Sequence, residues 1–84
     1  MNISKREQRV LHHLALGGHI RHDMQGKRIT GITCFTHDGA VLSDCDLNLF
    51  QRLRRRGLIG AQGGPYRITL LGRRSVRAQL DNQG

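Results

Sequence analysis

The stretch that decides the fold runs from Leu53 through Gly57-Leu58-Ile59, crosses a glycine-rich turn at Gly60, Gly63 and Gly64-Pro65, and continues as Tyr66-Arg67-Ile68-Thr69 up to Gly72. Its order reads as helix end, short strand, tight wing, short strand, helix start, because β-branched and aromatic residues sit on both sides of a run that only turns tolerate. That layout predicts a winged-helix-like module, a scaffold that holds nucleic acid or another protein.

Working outward, Leu49, Phe50 and Leu53 recur at helical spacing before Gly57, which predicts a helix from about Asp44 to Arg56. Ser43 with Asp46 three residues on reads as its cap. Asp44, Asn48, Gln51, Arg52 and Arg55 fall on its exposed face, acidic at the start and basic at the end, as the helix dipole favours. After the wing, a last helix is expected from about Leu71 to Asp81, with Val76 and Leu80 inward and Arg73, Arg74 and Arg77 facing water.

Toward the N-terminus, Ser4 with Glu7 forms a capping box, and a helix should run from about Lys5 to Leu16, stopped by Gly17-Gly18. Val10, Leu11, Leu14 and Ala15 lie on one side of it and Arg6, Arg9 and His13 on the other. From His19 to Leu42 the period changes to two. Gln25-Gly26 and Asp38-Gly39 are turn dipeptides, so this region is expected to be a three-stranded β-meander between the first two helices. The fold class is therefore α+β, with residues 1–84 as one winged-helix-like domain.

A chain of 84 residues buries only about two thirds of its unfolded surface, so one thin core is all it can build. Fourteen Lys and Arg against six Asp and Glu give a formal charge of +8, which favours a polyanion or an acidic protein surface as partner. No apolar run approaches the roughly twenty residues that span a bilayer. With no apolar leader read at its start, the chain is expected in a reducing cytoplasm, where Cys34 and Cys45 stay free and pack as small apolar groups.

Direct DNA reading meets three objections in the sequence. The start of the second helix, which a helix-turn-helix reader aims at base edges, carries Asp44 and Asp46. Strands replace the helix that would brace it, and the wing, with Gln62 among glycines, lacks a Lys or Arg. Five histidines raise the question of metal or of metal-free RNA cleavage by imidazole and guanidinium. His12, His13, His19 and His22 show neither i, i+4 spacing nor a Cys-x-x-Cys partner, so no metal, cofactor or catalytic set is expected. Arg52, Arg54, Arg55 and Arg56 are the stronger cluster, since guanidinium forks match phosphate and carboxylate geometry.

Three strings resemble a known family: Cys34-Phe35-Thr36-His37-Asp38-Gly39 leading to Leu42-Ser43-Asp44-Cys45, then Gly64-Pro65-Tyr66-Arg67-Ile68, and Val76-Arg77-Ala78-Gln79-Leu80-Asp81-Asn82. With Ser4 to Leu11 they make the whole chain similar to the YjhX-like family of small bacterial proteins. The resemblance implies a toxin of a chromosomal toxin and antitoxin pair that inhibits DNA topoisomerase I, with an acetyltransferase-like antitoxin encoded nearby. It transfers no catalytic residue. The resulting expectation is a non-enzymatic binding protein whose partner surface comprises Asn48, Gln51, Arg52, Arg55, Arg73, Arg74 and Arg77. A DNA-binding regulator and a metal-free ribonuclease toxin are the alternatives.

Overall fold

The structure is a computed structural model that describes residues 3–83, with side chains described for residues 3–77. Three helices and four short strands follow one another as α1 (Lys5–Ala15), β1 (His19–Gln25), β2 (Arg28–Phe35), α2 (Leu47–Arg55), β3 (Ile59–Gly60), β4 (Arg67–Ile68) and α3 (Leu70–Gln83). The class is α+β.

Helix α1 starts at the expected capping box: the Ser4 hydroxyl accepts from the Glu7 N–H at 3.1 Å and the Glu7 carboxylate accepts from the Ser4 N–H at 3.1 Å. Both α1 and α2 end in the same device. The Gly57 N–H donates to the Arg54 carbonyl and the Leu58 N–H to the Leu53 carbonyl, and Gly17 and Gly18 do the same with Leu14 and His13. This closure needs a left-handed residue just past the helix, which is why glycine stands at position 57, with φ of 72°.

Strands β1 and β2 form an antiparallel hairpin in which Ile20 faces Cys34 and His22 faces Ile32, with a bulge after Asp23. The expected third strand of the meander shrinks to a single bridge, Phe35 to Val41. The Thr36 hydroxyl accepts the Ala40 N–H and also bonds Asp38, closing a compact turn that leaves Val41 one residue in which to pair before the chain leaves the sheet.

Strands β3 and β4 pair around the glycine loop, Ile59 with Ile68 and Gly60 with Arg67. The two small sheets are joined by Ile20 and Tyr66, whose backbones exchange hydrogen bonds of 2.9 and 2.8 Å. The junction brings the Tyr66 ring into the core, edge-on to Phe50 at 4.9 Å and to His22 at 5.1 Å.

Around it pack Val10, Leu11 and Leu14 of α1, Leu49 and Leu53 of α2, and Leu58, all buried. Helix α3 lies chiefly along α1 and buries Gly72 and Val76. A Cβ at position 72 would overlap the Leu58 carbonyl oxygen, so glycine there is a condition of the packing. Val76 points inward as expected, whereas Leu80 lies outside the described side chains.

The start of α2 differs from expectation. Its N-cap is Asp46, whose carboxylate accepts the Leu49 N–H at 2.8 Å, and the helix begins at Leu47. Asp44 precedes the helix because α1 claims it: Arg9 lies 3.3 Å from its carboxylate and Arg6 donates to its carbonyl at 3.0 Å.

Candidate partner-binding surface

Three of the six acidic residues are engaged by arginines of the same chain. Asp44 faces Arg9, Asp46 lies 3.7 Å from Arg6, and the buried Glu7 accepts from Arg56 at 3.2 Å. Burial pushes the Glu7 carboxyl up, but the Ser4 hydrogen bonds and the Arg56 and Arg52 guanidiniums outweigh it and hold it below the usual carboxylate range. Arg56, read in the sequence with the solvent-facing cluster, is thus half-buried and braces α2 on α1.

The exposed arginines of α2 and α3 form two groups. On α2, Asn48, Arg52 and Arg55 are spaced i, i+4, i+7 and form one exposed face. Gln51 is half-buried and sits one position off that face. On α3, Arg73, Arg74 and Arg77 are exposed, and Arg73 also donates to the Ala15 carbonyl at 3.2 Å, satisfying one of the open acceptors at the end of α1. Because α3 lies chiefly along α1, the structure does not gather the seven expected residues into one cluster. It presents one arginine face on α2 and another on α3, with Leu71 of α3 set against Gly57 just past the end of α2.

The histidines are spread out. His12 and His13 stand edge to face at 6.0 Å, His19 stacks on Phe35, and His22 packs against Tyr66. Among the described residues, no group of three or more His, Cys, Asp or Glu side chains is placed to hold a metal ion. Cys34 and Cys45 are both free and buried in the core. A hydrogen bond in which Cys45 donates to Cys34 pulls the Cys34 thiol down against the effect of burial and pushes Cys45 up, with burial adding to the rise.

A groove of about 660 Å³ runs between the glycine loop and the first turn of α3. Pro65, Ile68 and Leu70 line it together with Arg67 and Gln62. The sequence reading begins the last helix at about Leu71 and so leaves Leu70 outside it, whereas α3 starts at Leu70. The adjacent pair Leu70-Leu71, apolar side chains on a helix whose inward stripe is Gly72 and Val76, was the available signal.

The family model for the YjhX toxins, described as "putative toxin of bacterial toxin-antitoxin pair", matches residues 1–83. The chain belongs to this family. Relatives of YjhX type are similar over essentially their whole length. A UPF0386 protein of Rhodospirillum rubrum is 62% identical over 86 residues, covering 100% of this chain and 96% of that protein. UPF0386 proteins of Brucella anthropi and Beijerinckia indica are 56% and 58% identical, each covering 99% of this chain and 100% of the relative. No solved structure matches. Membership in a toxin family implies a cognate antitoxin as partner. No helix among the described residues is long and apolar enough to cross a membrane.

Proposed function

We propose that this member of the toxin family acts without bond-making chemistry, by docking on a nucleic-acid enzyme in the cytoplasm, and that the enzyme is DNA topoisomerase I. The observation that carries the docking reading is the division of charge. Three of the six acidic residues, Glu7, Asp44 and Asp46, pair with Arg6, Arg9 and Arg56, while Arg52, Arg55, Arg74 and Arg77 face solvent outside any ion pair among the described residues. Such a field attracts acidic surfaces and steers their approach. The choice of topoisomerase I comes from the family resemblance. The order α2, β3, glycine loop, β4, α3, with β1 joined at Tyr66, supports a winged-helix-like reading of the scaffold.

Relaxation of supercoiled plasmid by purified topoisomerase I tests this. The wild-type chain should slow relaxation stoichiometrically, and the double variant Arg52→Glu, Arg55→Glu should lose that effect while melting at the same temperature. Relaxation untouched by a molar excess of wild-type chain overturns the choice of target. Inhibition by the double variant equal to wild type moves the surface off α2.

A second reading, direct nucleic-acid binding, gains from one finding. With Asp44 and Asp46 turned toward Arg6 and Arg9, the start of α2 opposes phosphates less than its sequence suggests. That reading requires binding to duplex DNA without enzyme present, weakening by about 0.9 logarithmic units per neutralised phosphate for each decade of salt.

A further inference from the structure

We infer that the groove between the glycine loop and the first turn of α3 is the seat of the cognate antitoxin, which places adjacent apolar side chains on Leu70 and Leu71 and carboxylates on the arginines around them. The inference goes beyond the target reading and rests only on the family membership, which implies a cognate antitoxin as partner.

Leu70 and Leu71 are 65% and 45% exposed at the start of a helix whose buried stripe is Gly72 and Val76. Leu70 lines the groove together with Ile68 and Pro65, and Leu71 is set against Gly57 just past the end of α2. The result is an apolar strip leading from the glycine loop to the turn after α2. Adjoining exposed apolar residues ringed by polar ones mark docking sites more often than scattered single ones do.

The flanking charge fixes the chemistry of the occupant. Arg67 lines the groove itself, and Arg74 lies one turn along α3 on the same side as Leu70 and Leu71. Both are exposed and outside any ion pair among the described residues. An apolar strip flanked by guanidiniums fits a protein segment that carries leucine-like side chains between carboxylates. A second copy of this chain fits poorly, because it would bring +8 against +8. An antitoxin seated here also shields Arg74, so one contact both binds the toxin and covers part of its outward charge.

The test is titration of the purified cognate antitoxin into the full chain by calorimetry, with sedimentation of the chain alone. Leu70→Ser with Leu71→Ser, and separately Arg67→Glu, should each weaken binding by about tenfold or more at unchanged melting temperature. Unchanged affinity in both variants overturns the inference, as does a wild-type chain that fails to bind antitoxin. A wild-type dimer that the leucine variant turns into monomer assigns the strip to a second copy and overturns it too, and loss of duplex DNA binding at unaltered antitoxin affinity assigns it to nucleic acid. Relaxation by topoisomerase I in the absence of antitoxin reports on the target reading alone. The leucine variant should still inhibit there but resist rescue by antitoxin.

Discussion

The Arg56 guanidinium lies 3.2 Å from the Glu7 carboxylate, tying the residue that ends α2 to the residue that completes the cap of α1, 49 positions earlier in the chain. One buried carboxylate therefore closes the first turn of one helix and anchors the last turn of another. Glu7→Ala should cost about 2 kcal/mol, because it removes both the cap partner and the 3.2 Å pair with Arg56. Glu7→Gln keeps the cap acceptor and should cost less. Chemical denaturation of the two variants beside wild type measures both.

The same carboxylate gives the fold an acid-sensitive component. Its folded pKa lies below the unfolded value of 4.5, so between the two the unfolded chain binds more protons and stability rises with pH. The contribution is fully present above about pH 5 and disappears as pH falls through the folded value. Denaturation midpoints measured from pH 7 down to pH 3 should fall more steeply in wild type than in Glu7→Gln.

At an exposed helical position, Gly→Ala stabilises by about 1 kcal/mol. Gly72→Ala should do the reverse and destabilise by about 2 kcal/mol or more, since the added methyl meets the Leu58 carbonyl and the Ile68 side chain. A variant that melts at or above the wild-type temperature would mean that α3 can lift off Leu58 without loss.

Asp46→Ala should cost about 1 kcal/mol through the lost hydrogen bond to the Leu49 N–H. Its exposed pair with Arg6 should add little. Ser43→Ala should change stability by far less, because the helix starts after Asp46 and leaves Ser43 no capping role. Thermal unfolding of both variants compares the two positions directly.

Cys34 and Cys45 should resist a thiol reagent at neutral pH in the folded protein and react together once guanidinium unfolds it, since both are buried and only thiolate attacks. When alkali admits reagent to the native state, Cys34 should react ahead of Cys45, the donor of the hydrogen bond between them. Mass spectrometry after brief alkylation distinguishes the two sites.

Local signals carried most of the architecture. Ser4 and Glu7 announced α1, Gly17 and Gly57 marked where the first two helices stop, and Gln25-Gly26 placed the hairpin. Where the reading slipped, a distant partner decided. Asp44 resembles a first-turn residue of α2 until Arg6 and Arg9 of α1 draw it away, and Arg56 resembles its exposed neighbours until Glu7 claims it. Contacts 35 or more positions apart leave no periodic trace. The arginine faces were legible because exposure follows helical spacing, but their separation was not, because it depends on α3 choosing α1 as its neighbour. The groove needed the closure of the glycine loop against Leu70, a three-dimensional fact with only a doubled leucine to hint at it.

The exchange of backbone hydrogen bonds between Ile20 and Tyr66 sets a timetable for synthesis. A nascent chain still lacking its last twenty residues holds the first hairpin with no strand beside Ile20 and no phenol ring beneath Phe50. Its core therefore closes only once Tyr66 has arrived to pair with Ile20 and pack against Phe50.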